Sequence, residues 1–171
     1  MAAGATYSQI QTYTSSGNQN TISFTSIPQT YTDLILVCSN IKHSFAGTGQ
    51  VYDGFLSFNS DSGTNYSNVL YNATGTAVTA ELQSNRGRIS TYYPRASANP
   101  GHIVANIQNY SNTSTYKPTL IRSNVTDAMV SFAVGNWRST SAITRVDVTV
   151  AGSGDYFIDG SIFTLYGIAA A

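Results

Sequence analysis

Two histidines, His43 and His102, are the side chains of this sequence best suited to moving protons near neutral pH. A Ser–His–Asp triad would need one of them to accept the proton of a serine nucleophile. His43 follows the end of an expected strand, and His102 opens another strand after Pro100-Gly101. Neither residue belongs to a G-x-S-x-G nucleophile motif. We therefore predict that both histidines are structural or surface residues.

Paired carboxylates are the second kind of chemistry to consider, because two of them at a fixed separation can cleave a glycosidic bond. The chain has seven aspartates and a single glutamate, Glu81. Asp53, Asp155 and Asp159 each lie beside a glycine, and turn or strand-edge positions explain all three. The sequence nominates no pair, so an enzyme acting on polysaccharide has no residue to point to.

The segment Asn59-Ser60-Asp61-Ser62-Gly63-Thr64-Asn65 places polar residues at alternate positions, as calcium loops do. Such a loop needs a bidentate glutamate at its twelfth position, which is Leu70 here. Gly47-x-Gly49 and Gly152-Ser153-Gly154 lack the lysine and the strand–helix context of phosphate-binding loops. We predict ordinary polar turns at all three places, with no metal and no cofactor.

The composition as a whole also argues against catalysis. Only 9% of the residues are charged, against about 25% in ordinary domains, and the formal net charge is zero. Nucleic-acid binding needs clustered Lys and Arg, and the chain has only eight such residues, so we expect protein partners instead. No signal peptide and no apolar run of about 20 residues is present, which predicts neither export nor a membrane span. The single cysteine, Cys38, lies in an apolar run and is expected to be buried.

Tyr, Trp and Arg are the residue types that anchor interfaces, because they bury much area and keep a polar group. Trp137 with Arg138, and the pair Tyr92-Tyr93, are therefore the best candidates for contacts to a protein or a glycan. Asp155 joins them as a loop carboxylate that could hydrogen-bond to a sugar. The alternative for Trp137 is a place capping the core of the fold.

Short alternating or apolar runs recur along the chain, separated by turn residues at intervals of about 10 to 15 residues. They predict that β-strands position these candidate residues. The pattern is typical of a single all-β domain over residues 1–171 with little or no helix, a β-sandwich or a β-barrel; we expect an antiparallel β-sandwich. Residues 1–18 are expected to be an N-terminal arm or a first strand, and residues 169–171 a short tail. The stretch Ala77–Gln83 is open between one or two helical turns, a strand and a loop. Other expected strands are Asp33–Asn40, Val51–Phe58, Tyr66–Tyr71, His102–Gln108, Leu120–Val125, Met129–Val134, Ile143–Val150 and Phe157–Ile168.

The last of these strands has two mixed faces, and we expect Phe163 and Leu165, which share one face, to lie in the core.

Several segments of the chain resemble a group of tailed-phage virion structural proteins. The ending Gly160-Ser161-Ile162-Phe163-Thr164-Leu165-Tyr166-Gly167-Ile168 is the most similar to that group. The other similar segments are Ser26–Leu34, Phe58–Ser67, Ile107–Asn112 followed by Tyr116-Lys117, and Gly135–Thr140 followed by Ala142–Thr144. Together they span about residues 20 to 168.

The resemblance implies a jelly-roll-like β-sandwich in a virus particle, without catalytic residues. We expect a capsid decoration or cement protein that binds the major capsid protein, forms a trimer, and is made in the bacterial cytoplasm before joining the virion. The alternative is a tail-fibre or receptor-binding module that recognises a host-surface glycan.

Overall fold

The chain folds into twelve β-strands, and we describe residues 6–45, 51–94, 99–125 and 128–169 of its computed structural model. Among these residues none is helical, so no helix is available that could cross a membrane. The strands are β1 Tyr7–Thr14, β2 Thr21–Phe24, β3 Asp33–Ile41, β4 Val51–Phe58, β5 Tyr66–Thr74, β6 Val78–Arg86, β7 Ile89–Pro94, β8 Gly101–Ile107, β9 Lys117–Val125, β10 Met129–Trp137, β11 Val146–Val150 and β12 Ile162–Ile168.

Two antiparallel sheets form the sandwich. The larger has the strand order β1-β12-β3-β8-β9-β10-β5-β6, and the smaller has the order β2-β11-β4-β7. Eight strands, four in each sheet, follow the order β1, β2, β3, β4, β7, β8, β11, β12 along the chain. Successive strands of this set lie in different sheets, except that β4 and β7 pair with each other in the smaller sheet. Numbered in that order, the sheets read 1-8-3-6 and 2-7-4-5, which is the eight-stranded jelly roll. The predicted jelly-roll-like β-sandwich is confirmed.

The remaining four strands extend the larger sheet. The hairpin β5–β6 is inserted between β4 and β7, and β9–β10 is inserted between β8 and β11. The two insertions meet where β10 pairs with β5, so that β9, β10, β5 and β6 continue the sheet beyond β8. Strand β7 of the smaller sheet lies over this extension. At Gly135 the two layers approach so closely that a Cβ atom would lie 2.8 Å from the Ile89 side chain.

The core between the sheets is apolar and aromatic. Leu34, Leu36 and Cys38 alternate along β3 and are buried, which is the period-two pattern expected of a strand with one inward face. Phe163 and Leu165 on β12 are fully buried, as predicted. Each such side chain contributes about 1.5–3 kcal/mol through removal of its apolar surface from water.

The predicted strands overlap the observed ones and differ at several ends. Strands β5 and β10 run three residues further, to Thr74 and Trp137, and β9 begins three residues earlier, at Lys117. Strand β1 lies within residues 1–18, and Ala77–Gln83, which the sequence left open, belongs to β6 from Val78 onward. Strand β7, which contains Tyr92 and Tyr93, was not predicted, because its aromatic run before Pro94 has no clear alternation.

The predicted strands at 143–150 and 157–168 begin later than expected. Val146 and Ile162 open the regular strands β11 and β12. Phe157 instead makes isolated bridges with Gln19 and His43, and its ring packs against Phe163 with centroids 4.7 Å apart. Phe157 and Phe163 are therefore both core residues, although Phe157 lies outside strand β12.

Candidate functional site

The segment of residues 59–65, which resembles a calcium loop in sequence, is a loop held by hydrogen bonds to the Asp61 carboxylate. This carboxylate accepts hydrogen bonds from the Gly63 backbone N–H at 2.8 Å, from the Asn65 side chain at 2.9 Å and from the Trp137 indole N–H at 2.7 Å. Leu70, which stands at the twelfth position, is buried in the core. In the described residues no cluster of three or more His, Cys, Asp or Glu side chains could hold a metal ion.

These hydrogen bonds set the protonation state of Asp61. Partial burial by itself would raise the pKa of the Asp61 carboxyl, but the bonds from Trp137, Asn65 and Gly63 lower that pKa below its ordinary value. The carboxylate is therefore charged at neutral pH, and its hydrogen bonds hold the loop together.

Two of the five candidate contact residues lie in the core: Trp137 occupies the core position given above as its alternative, and Tyr93 is enclosed as well. Trp137 is 2% exposed and Tyr93 is 1% exposed. The Trp137 ring stacks on Tyr66 with centroids 6.2 Å apart and packs against Phe58 at 5.7 Å. Tyr93 packs against Phe157. Both large aromatic rings fill space inside the sandwich. Because they are enclosed there, neither ring is available to a ligand in this conformation.

The other three candidate residues, Arg138, Asp155 and Tyr92, each have a different set of neighbours. The Arg138 guanidinium donates to Thr64 O and, at 2.8 Å, to Asn85 Oδ1, and so ties the β4–β5 loop to the end of β6. The Asp155 backbone carbonyl accepts a bond from the Asn20 side chain at 2.8 Å. Tyr92 is half-buried on β7, where burial and the charges of Asp53 and Glu81 raise its pKa. They do not form one site.

Both histidines occupy the positions expected of structural or surface residues. His43 is fully buried, and its Nδ1 accepts a hydrogen bond from the Phe45 backbone N–H at 3.2 Å. His102 is exposed on β8. Neither observation places a serine nucleophile beside an imidazole.

A polar groove of about 500 Å³ lies where β6 passes the smaller sheet, and sequence reasoning did not find it. Its lining includes Asp53, Phe55, Gln83, Asn85, Arg86 and Arg88. The Arg88 guanidinium lies 3.6 Å above the Phe55 ring centroid, a cation–π contact. Burial and the nearby Glu81 raise the pKa of Asp53, while Arg88 lowers it in part. The groove offers hydrogen-bonding groups of both charges.

An exposed apolar surface lies on the outer side of the sheet extension. We call it the outer apolar face; its members are Tyr71, Val78, Leu82, Leu120, Val130, Phe132 and Val134, each at least 37% exposed. Cross-strand pairing brings them together: Phe132 lies opposite Tyr71, and Val134 lies between Leu120 and Val69, with Leu82 next in the same row. Arg122, opposite Phe132, adds a positive charge. The alternation of apolar residues on β10 marks this face, but the sequence alone did not show which side was covered.

Comparisons with known proteins identify no family. No protein-family model matches the chain, and no curated protein matches it. A solved structure of a protein of unknown function from Shewanella oneidensis MR-1 is similar at 10% sequence identity with a TM-score of 0.26, covering 98% of this chain and 77% of that chain. A similarity of that size carries no argument about fold or function.

Proposed function

We propose that this chain is a non-enzymatic structural protein of a tailed-phage particle, a decoration protein that seats on the capsid shell and bridges its subunits. The observation that carries the proposal is the outer apolar face. The resemblance of residues 20 to 168 to tailed-phage virion proteins supports the choice of partner. In this proposal the partner is the major capsid protein, and the protein is made in the bacterial cytoplasm before it joins the virion. The trimer expected from the resemblance stays a prediction.

The size of the face fits a protein partner. Seven large side chains expose between 37% and 77% of their surface there. Together they present on the order of 600 Å² of mostly apolar surface, at the upper end of the largest patch on a typical monomer. A standard protein interface buries about 800 Å² on each side. The face and a polar rim would therefore supply one side of such an interface.

The chemistry of the face also fits a shell surface better than a sugar. Its strands present Val, Leu, Phe and Tyr, with Arg122 as the charged member. Docking would gain its free energy from burial of apolar area, about 25 cal/mol per Å² before the costs of association. Because charge contributes little, salt should weaken the binding only slightly. A protein that binds the assembled shell and not its free subunits stabilises the shell by mass action.

Quantitative mass spectrometry of purified particles tests this function directly. One copy per shell subunit, or a simple fraction of one, is the expected result. A few to a few tens of copies per particle would overturn the decoration role in favour of a tail component. Absence of the chain from the particles would overturn the virion assignment altogether.

A variant pair tests the surface. We expect Phe132→Ser combined with Val134→Ser to lower binding to undecorated shells at least tenfold, because both side chains lie in the middle of the face and are about half exposed. Tyr116→Ser is the matched control, since Tyr116 is 51% exposed but lies in the loop before β9. Equal binding by the double variant and the control would exclude this face.

The polar groove favours a second candidate, a glycan-binding module. Asp53, Gln83, Asn85 and Arg88 offer donors and acceptors for sugar hydroxyls around a space of about 500 Å³. Adsorption to host cells is the test: Asp53→Ala with Arg88→Ala should abolish it, and Asp155→Ala, in a different loop, should not. Unchanged adsorption of the groove variant would remove this candidate.

A further inference from the structure

Strand β6 forms one edge of the eight-stranded sheet and is exposed along almost its whole length. Among the described strands it pairs with β5 alone. Eight of its nine residues are exposed, including Val78 at 77% and Leu82 at 72%. A long, exposed edge strand is a ready template for pairing with another strand.

The hairpin fixes which backbone groups of β6 point outward. The Thr74 N–H donates to the Ala77 carbonyl at 2.9 Å, which makes Thr74 and Ala77 a hydrogen-bonded pair. In an antiparallel ladder such pairs alternate with pairs that exchange no hydrogen bond. Thr79 and Glu81 therefore bond to β5, opposite Asn72 and Leu70. The N–H and C=O groups of Val78, Ala80 and Leu82 point away from β5, toward the open edge.

The usual protection of an edge is weak over this part of the strand. Residues 78–83 contain no proline and no lysine, and the irregular register with β5 begins only between Asn68 and Tyr66, beyond Gln83. Glu81 is the one charge in this stretch. Its side chain lies on the opposite face from Val78, Ala80 and Leu82 because side chains alternate along a strand.

We infer that two copies of this chain pair through their β6 edges, antiparallel, about a two-fold axis at Ala80. This register uses the outward groups of Val78, Ala80 and Leu82 on both copies. It places the small Ala80 against its own copy, and Val78 against Leu82 of the partner subunit. Thr79 then lies opposite Glu81 of the partner subunit, where a hydroxyl can donate to the carboxylate.

Other two-fold registers match less well. An axis at Glu81 would set the two carboxylates directly against each other, which is destabilising. An axis at Leu82 would set Val78 against the charged Arg86 of the partner subunit and Ala80 against Ser84 of the partner subunit. The charge of Glu81 thus disfavours a register centred on that residue without blocking the edge.

Pairing has a consequence for the surface beside the edge. The two larger sheets become one continuous sheet, and the two outer apolar faces become neighbours on the same side, because directly paired residues of antiparallel strands point to the same face. A strand-edge contact alone lies at the low end of interface sizes, so the dimer is concentration-dependent. The inference concerns the free chain in solution, where it replaces the trimer that the resemblance implies, and it is independent of the chain's place in a virion.

Sedimentation equilibrium of the full chain over a micromolar to millimolar range is the first test. A monomer–dimer equilibrium is expected for the native chain. Ala80→Pro removes an outward N–H while leaving the bonds of Thr79 and Glu81 to β5, and should abolish the dimer. Leu82→Lys should weaken it at least tenfold, and Val134→Lys, on the same face but off the edge, should not. A monomer at all concentrations, a trimer, or a dimer that persists in both edge variants would overturn the inference.

Disulfide trapping tests the register. Thr79 and Glu81 of the partner subunit form a pair that exchanges no hydrogen bond, in which the Cα atoms are about 4.5 Å apart, within the range of about 4.4–6.8 Å that a disulfide spans. A mixture of Thr79→Cys and Glu81→Cys chains should therefore give a covalent dimer on mild oxidation, and native Cys38 is buried and should not compete. In Leu82→Cys the two thiols would be about 13 Å apart along the strands and should not link. Linking at 82 but not between 79 and 81 would overturn the proposed axis.

Discussion

The indole N–H of Trp137 donates a hydrogen bond of 2.7 Å to the Asp61 carboxylate. Trp137 ends β10 in the sheet extension, and Asp61 belongs to the loop between β4 and β5. The same indole ring stacks on Tyr66, the first residue of β5. One side chain thus joins the inserted strands to the loop that leads into them, through a polar contact at its edge and apolar contacts on its face.

Trp137→Phe tests the polar half of this contact. Phenylalanine keeps an aromatic ring against Tyr66 and Phe58 but cannot donate to Asp61. A hydrogen bond to a charged group contributes about 1.5–3 kcal/mol, and the smaller ring adds a packing loss. We expect the free energy of unfolding in urea to fall by about 2–4 kcal/mol.

Asp61→Ala, which removes the acceptor, completes a double-mutant cycle with Trp137→Phe. The two changes remove the same bond, so their effects should be less than additive, with a coupling of about 1 kcal/mol or more. Strict additivity would show that the bond contributes little and that Trp137 acts by packing alone.

Asp61 also gives the fold a defined acid sensitivity. Its pKa in the folded chain is below the ordinary value of about 3.9, which we take for the unfolded chain. The stabilisation is therefore complete above about pH 4 and is lost as the pH falls through the folded-state pKa. Urea unfolding between pH 6 and pH 2 should show stability declining below about pH 4, and the decline should be shallower in Asp61→Asn. An identical decline in both proteins would assign the effect to other carboxylates.

Most strands of the sandwich were predictable from the sequence because they carry a local signal. Leu34, Leu36 and Cys38 alternate with half-buried residues, and the alternation of β10 continues to Trp137. Periodicity of this kind depends only on which face of a strand meets the core. It does not give the order of the strands, so the jelly roll was implied by the resemblance alone.

The candidate sites were less predictable because they depend on long-range pairing. Nothing local distinguishes Trp137 as a core residue from Trp137 as a surface anchor, and burial by Phe58 and Tyr66 decides it. The outer apolar face exists only because β5 and β10, far apart in sequence, are paired. Strand β6 was ambiguous because an exposed edge strand lacks the alternation that one-sided burial imposes.

A glycine pair tests the close approach between strands β4 and β7. A Cβ atom on Gly54 would overlap the ring of Tyr93, which is fully enclosed, whereas one on Gly75 meets no atom within 4 Å. Overpacking of this kind costs about 1–3 kcal/mol. At about 2–4 °C per kcal/mol for a chain of this size, Gly54→Ala should lower the Tm by several degrees, while Gly75→Ala should leave it nearly unchanged. Equal Tm values would show that Tyr93 can move aside.

Neighbouring residues of β12 separate core from surface on one strand. Phe163 is fully buried and its ring packs edge-on against Phe157, whereas Ile162 is 36% exposed. A carboxylate at position 163 would be buried without a partner, at a cost of several kcal/mol in addition to the lost apolar contacts. That sum is comparable to the whole stability of a typical domain, about 5–15 kcal/mol.

Phe163→Asp should therefore give no soluble folded protein, and Phe163→Ala should fold with a free energy of unfolding lower by about 3–5 kcal/mol. Ile162→Asp can turn its carboxylate toward water and should remain soluble. Far-ultraviolet circular dichroism and the soluble yield measure both outcomes. A folded Phe163→Asp variant with an unchanged Tm would mean that β12 does not close the core of the sandwich.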